Sequence, residues 1–402
     1  MSGEMQFPIT RPKVAVFTSS RAEYGMLSGV LDSLEACDEL ELALIVSGTH
    51  LDSNFGSTVN EIEADGRHIS AIVPMDLTKG DPRALVAATG SLAADLATVV
   101  QKLSPDLILV MGDRYELLAV QMVSVVMRIP LAHISGGEIT TGAIDEQVRH
   151  SITKSAHLHY VANQEFERRI LGMGEEPWRV VCSGEPGLDN VPSSPLYTRT
   201  DLCQQLGLDP AGRVGLVALH PETGIPGATN LLVSATKSAI SNSSGDLGIQ
   251  WVLTYPNSDL GNAAIVHAWK ELEKVSSRIV LIQSLGRARF LSSLSEFDLL
   301  LGNSSSGLVE APSFSMPAIN IGNRQRGRPR AKNVLDVDPD AENIVEGIHW
   351  ALEFDRSIPI ENPYGDGRSS PRITEHIKNV LLNMDKETLL VKRFVDDWND
   401  RR

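Results

Sequence analysis

The chain has only three cysteines in 402 residues, Cys37, Cys182 and Cys203. They show neither metal-ligand spacing nor the pattern of a disulfide framework, so buried or idle thiols in a reducing cytoplasm are expected. Basic residues are also in short supply. Lys and Arg number 36 against 51 Asp and Glu, for a net charge of −15, which argues against a nucleic-acid or anionic-membrane surface. No run approaches the ~20 apolar residues of a membrane span, and the opening MSGEMQFPITRPK has no apolar signal core. A soluble cytoplasmic protein is therefore expected. The first strand is not followed by G-x-G-x-x-G, and there is no Walker P-loop. A bound dinucleotide and nucleotide triphosphate hydrolysis are both disfavoured.

What the chain does have is alternation. Short apolar runs such as Val14-Ala15-Val16-Phe17, Leu42 to Val46, Ile69 to Val73 and Leu107 to Met111 are separated by stretches with helical spacing, Leu85 to Leu103 among them. This pattern predicts parallel sheets with helices on both faces. A length of 402 residues suits two domains. The proline- and serine-containing stretch 186–200 is the best linker, and the alternation restarts after it. The expected division is a first α/β domain over 1–190, a second over 191–373, and a terminal helical region over 374–402 that returns to brace the first domain.

Polar residues concentrate just after the strands, at the sheet edge where open α/β sheets bind ligands. Gly112-Asp113-Arg114 follows one strand, and a span holding Gly136, Gly137, Glu138, Asp145, Glu146, Arg149, His150 and Lys154 follows the next. Carboxylates close to arginine are what proton chemistry on an anionic ligand requires. In the second half, Gly302 to Gly307 (GNSSSG) is expected to open a helix with Glu310 in its first turns, forming an anion cradle. Arg324, Arg326, Arg328 and Arg330 tilt this loop toward phosphate. His220 precedes a proline at the same edge. His133, His150, His157 and His159 suit no common zinc motif and are assigned to packing and hydrogen bonding, with His150 and His157 expected on one helix face. Arg21 lies where the first crossover of many doubly wound folds meets a phosphate.

In this order, SRAEYG (20–25), GDRYE (112–116), HISGGEITTGAIDEQVRHSITK (133–154), HPET (220–223), GNSSSG and NPYGDG resemble the hydrolysing UDP-N-acetylglucosamine 2-epimerases of sialic-acid-type sugar biosynthesis, over nearly the whole chain. The resemblance implies two Rossmann-like doubly wound domains with an interdomain cleft, as in GT-B glycosyltransferases. It implies conversion of UDP-N-acetylglucosamine, or a diacetamido relative, to UDP and the free manno-configured sugar of N-acetylmannosamine type. The implied route removes the C2 proton, expels UDP and hydrates a glycal, with no redox cofactor and no metal. Asp113 falls on the family's catalytic aspartate and Asp145 on its second acid, with Glu138 and His220 as further catalytic candidates. Arg21, Arg114, His220, Ser304, Ser305, Glu310 and Arg324 fall on its nucleotide-sugar positions; the serine pair and Arg324 are expected to face the diphosphate, and Glu310 the ribose. The family also implies a homo-oligomer, a dimer or tetramer, with a UDP-sugar as the partner and neither nucleic acid nor membrane.

The chain departs from the pattern in places. Ser135 stands where some members carry a catalytic glutamate, HPET replaces the commoner HPVT, and Gly25 replaces a ligand-contacting serine. A non-hydrolysing 2-epimerase, a GT-B glycosyltransferase and a non-catalytic nucleotide-sugar sensor are the competing readings. The retained acids Asp113, Glu138 and Asp145 count against the sensor.

Overall fold

A computed structural model describes residues 11–53, 56–77, 82–140, 144–189, 191, 195–222, 227–256 and 261–396. The chain divides into two compact units, Met1–Glu138 with Ile144–Asn190 and Gly365–Arg402, and Ile139–Ala143 with Val191–Tyr364.

The first unit is built on seven strands, β1 (Lys13–Thr18), β2 (Glu41–Ser47), β3 (Ile69–Val73), β4 (Leu107–Met111), β5 (Leu131–Ile134), β6 (Leu158–Val161) and β7 (Val180–Cys182). They form one sheet in the order β3-β2-β1-β4-β5-β6-β7, with every pairing parallel. Its helices are α1 (Arg21–Glu35), α2 (Val59–Ala64), α3 (Pro82–Leu103), α4 (Leu117–Met127), α5 (Ile144–Ser155) and α6 (Gln164–Gly172). The strands are apolar on both faces because both faces are covered. Val14, Val16, Leu107 and Leu109 pack with Leu27 and Leu31 of α1 on one side. Ala15, Phe17, Ile108 and Val110 pack with Leu92 and Leu96 of α3 on the other. The strand order reverses between β1 and β4, the switch point at which such sheets bind ligands.

Helix α3, which covers the helical stretch expected from Leu85 to Leu103, is long and apolar enough to cross a membrane by length and composition. Its Ala88, Leu92, Ala93, Leu96 and Val100 are buried against the sheet. Helix α4 has no charged residue, and its Leu118, Met122, Val125 and Val126 are exposed on one stripe.

The second unit contains α7 (Arg199–Leu206), α8 (Ala228–Asp246), α9 (Asn262–Val275), α10 (Gly286–Glu296) and α11 (Ala341–Glu353) around six strands. These are β8 (Val214–Ala218), β9 (Gln250–Thr254), β10 (Ile279–Ile282), β11 (Leu299–Gly302), β12 (Ala318–Ile321) and β13 (Val334–Val337). Their order is β10-β9-β8-β11-β12-β13, again all parallel.

The C-terminal segment belongs to the first unit. It carries two helices, α12 (Ser369–Asn383) and α13 (Lys386–Leu390), rather than one helical region over 374–402; residues 397–402 lie outside the described residues. The break has a local cause, since the Asp385 side chain accepts from Thr388 N at 2.8 Å and caps a new helix. The α12 N-terminus is held by Asp189, which accepts from Ser369 N at 2.8 Å and from Ser370 N. Ile373 and Ile377 enter the α1 face of the core.

Candidate active site

In the first unit, the loops after β1, β4 and β5 leave adjacent strands. Gly112 follows β4 with φ +84°, a conformation that suits glycine. Its carbonyl accepts from His133 Nε2 at 2.8 Å. Burial pushes the His133 pKa down to about 4, so the ring is neutral. With Nε2–H donating to Gly112, Nδ1 is left to accept from the Thr153 hydroxyl, 3.1 Å away. Asp113, held in place by this anchor, accepts a hydrogen bond from Arg149 Nη2 in an ion pair. The Arg149 side chain is only 3% exposed, against 25% for Asp113.

Arg114 forms a second pair. It donates to Glu116 at 2.7 Å, and Glu116 is fully buried. Glu23, in the first turn of α1, is buried nearby and accepts from Ser19 Oγ at 3.3 Å. Burial raises its pKa to about 8, against the pull of Arg114. His50 is pushed down to about 4, first by burial and then by Arg114. The Arg114 guanidinium thus faces two groups, Glu23 and His50, that are neutral at pH 7. Arg21 is half exposed and pairs with Glu61 at 3.0 Å.

The SGGE turn after β5 is tightly packed. A Cβ on Gly137 would lie 2.7 Å from Phe166 O, and one on Gly136 would lie 3.0 Å from Thr153 Oγ1. Ser135 adopts φ +62°, and its hydroxyl donates to Glu185 Oε2 at 3.3 Å. Ser135, Glu138 and Glu185 are all buried. A buried carboxylate from the loop after β7 therefore stands beside the position where Ser135 replaces a glutamate. Asp145 is partly buried in the first turn of α5. His157 lies beyond α5, not on a helix face with His150, and accepts from Leu131 N at 3.1 Å. His159 contacts buried Glu175 at 3.1 Å.

In the second unit, GNSSSG follows β11 but does not open an α-helix. Ser305–Gly307 and Ala311–Phe314 are short 3-10 turns. Pro312 starts the second turn, and the left-handed Ser315, φ +47°, ends it. The backbone N–H groups of 303 and 304 bond to Ala218 O, and those of 307 to 310 bond within the loop. The Ser304 hydroxyl accepts from Ser306 N at 3.4 Å. What the loop offers an anion is therefore chiefly hydroxyl groups. Asn303 grips the main chain of His220, with His220 N to Oδ1 at 2.7 Å and Nδ2 to His220 O at 2.9 Å. His220 is lowered to about 4 by burial and then by Arg324. Arg324 Nη1 donates to Asn303 O at 3.2 Å. Burial raises Glu310, with Arg287 opposing. Arg330 is committed to Asp336 at 2.6 Å.

Sequence reasoning missed the partners. Arg149 stood in the loaded span without a role, and Glu116 lay inside GDRYE. Glu185 had no signal beyond being a carboxylate after a strand. Asn303 was visible only as a letter of GNSSSG, and nothing signalled that Gln325 Nε2 donates to Asn303 O at 2.9 Å or that Glu222 Oε1 accepts from Asn323 N at 2.8 Å. Thr223 of HPET lies outside the described residues.

Two parallel α/β units with acids and arginines at the strand ends define a class of Rossmann-like enzymes. The comparisons narrow the class. The family model for UDP-N-acetylglucosamine 2-epimerase matches residues 32–378. A Legionella pneumophila protein named UDP-N,N'-diacetylbacillosamine 2-epimerase (hydrolyzing) is 35% identical, over 92% of this chain and 97% of its own length. A Campylobacter jejuni protein named GDP/UDP-N,N'-diacetylbacillosamine 2-epimerase (hydrolyzing) is 31% identical, over 96% of this chain and 100% of its own. In fold, the chain is similar to S. aureus MnaA, solved with UDP, with a TM-score of 0.76 at 17% identity, covering 96% of this chain and 100% of that one. This chain is an enzyme of the UDP-N-acetylglucosamine 2-epimerase family.

Proposed function

We propose that the enzyme converts a UDP-linked 2-acetamido sugar to UDP and the free manno-configured 2-epimer. A base removes the proton at C2, the C1–O bond breaks with UDP leaving, and water adds to the resulting glycal at C1 as C2 is reprotonated from the other face. This needs two acid/base groups at C2 and positive charge at the departing diphosphate. Asp113 and Asp145 fill the first requirement. Glu138, with Glu185 as the newly recognised neighbour of Ser135, is the third source of a carboxylate. Arg324, Ser304 and Ser305 serve the diphosphate, Glu310 the ribose, and Arg21, Arg114 and His220 the rest of the nucleotide sugar.

The observation that carries this reading is the pairing of buried Arg149 with Asp113 beside the His133–Gly112 anchor. It fixes one carboxylate at the switch-point edge, where geometry must be set before chemistry. The names of the two bacterial relatives favour a sugar acetamido-substituted at both C2 and C4 over N-acetylglucosamine itself. Incubation with UDP-N-acetylglucosamine and UDP-N,N'-diacetylbacillosamine in turn, followed by phosphorus NMR, tests both points. Free UDP is expected, released faster from the diacetamido substrate. A UDP-linked product would instead make the enzyme a non-hydrolysing epimerase.

The reading includes a homo-oligomer in the cytoplasm. The free cysteines Cys37, Cys182 and Cys203 suit a reducing compartment. Two copies of a chain of net charge −15 repel unless they meet on an uncharged face, and the exposed stripe of α4 is such a face.

A further inference from the structure

The loops after β8, β11 and β12 leave three neighbouring strands. Asn303, from the middle strand, holds His220 on one side, and its carbonyl accepts from Arg324 and Gln325 on the other. Glu222 joins the two outer loops directly. Its Oε1 accepts from Asn323 N at 2.8 Å and Arg324 N at 3.2 Å. The fit is close, because a Cβ on Gly322, at φ +76°, would lie 2.5 Å from that oxygen. Glu222 is itself tied down, its N–H donating to Thr229 Oγ1 at 3.0 Å.

Successive backbone N–H groups in such a turn form a nest for an anion. Here the protein's own carboxylate occupies it. The N–H groups of 323 and 324 are thus already satisfied, and the charge of this turn is carried by the Arg324 side chain, itself braced on Asn303 O at 3.2 Å. We propose that Glu222 is a positioning residue for Arg324: it fixes the backbone from which the guanidinium reaches the diphosphate. This rests on the nucleotide-sugar reading above. It also gives a role to the glutamate of HPET, which a valine in the same place does not have the atoms to fill.

The proposal runs against simple electrostatics. A carboxylate that was merely near the site would repel UDP, so removing it would tighten binding. Positioning predicts the reverse. By calorimetry on the full chain, E222A should bind UDP about tenfold more weakly, because a misplaced charge-assisted hydrogen bond is lost. E222Q keeps an acceptor oxygen and should lose only about two- to threefold. G322A, whose Cβ displaces the carboxylate, should resemble E222A. In turnover, KM should rise more than kcat falls. In the R324A background, E222A should have no further effect, because coupled residues do not add. Circular dichroism checks that each variant is folded, and E222Q with G322A carries the test if E222A is not. Tighter or unchanged UDP binding in E222A would overturn the assignment, as would an equal loss in E222Q. If the native protein bound no UDP, the nucleotide reading itself would fail, which the native titration alone reveals.

Discussion

Arg149, buried on α5, donates to Asp113, which follows β4. The sequence separates them by 36 positions, yet this pair decides where the candidate base sits. Asp113→Asn keeps the shape and removes the titrating group. Turnover should fall about 10²–10⁴-fold while UDP affinity stays near native, and Asp145→Asn should behave alike. Steady-state kinetics beside UDP calorimetry reads both. If UDP binding fell in step with rate, these residues would be structural.

Arg149→Met should hurt in two ways. It strands the Asp113 carboxylate without its buried partner, at a cost of about 3 kcal/mol of stability, and it frees the carboxylate to move. Urea unfolding measures the first effect and kcat the second. A variant of native stability and rate would remove Arg149 from the account.

The missing glutamate at Ser135 leaves two buried acids to compare. Glu185→Gln should lower kcat more than KM if the carboxylate beside Ser135 takes part, and Glu138→Gln asks the same of the SGGE turn. Near-native kcat in either variant would retire that residue alone.

Stability should pass through a maximum near pH 6.5. Burial lowers His50, His133, His157 and His220 to about 4. A folded pKa below the unfolded value of 6.5 means the native state binds fewer protons between the two, so stability falls as pH drops from 6.5 toward 4. Glu23 is raised from 4.5 to about 8. The native state there binds more protons, so its contribution is lost as pH rises through that window, at no more than about 1.4 kcal/mol per pH unit. Below 6.5 the four histidines outweigh the one acid. Above it the Glu23 loss should dominate until about pH 8. Thermal melts across this range check the curve. Glu23→Gln should flatten the alkaline side and steepen the acid side down to pH 4.5, and an unchanged alkaline slope would show that Glu23 is not the group responsible.

Sedimentation velocity tests the α4 face. Native protein should sediment as a dimer or larger, and Val126→Glu should shift it to monomer, since a buried unpaired charge is costly. A monomeric native protein would dismiss the face as an interface.

How much of this was legible in the sequence depended on range. A strand such as Leu107–Met111 announced itself, because a doubly covered parallel strand is apolar throughout. β7 and β13 did not; Val180–Cys182 is too short and Val334–Val337 carries Asp336. The catalytic candidates were visible because they cluster after strands. Their partners were not. Arg149, Glu116, Glu185, Asn303 and Glu222 act through side-chain directions and close approaches that tertiary packing sets. GNSSSG misled for a related reason: a serine-rich start reads as a helix cap, but the left-handed Ser315 ends the helical turns behind it.

The central claim is that the reaction proceeds by removing the proton at C2 and expelling UDP. Running it in deuterated water and recording proton NMR of the isolated sugar tests that claim most directly. The account predicts a free manno-configured 2-acetamido sugar with deuterium at C2. A free sugar that keeps its original C2 hydrogen would contradict it.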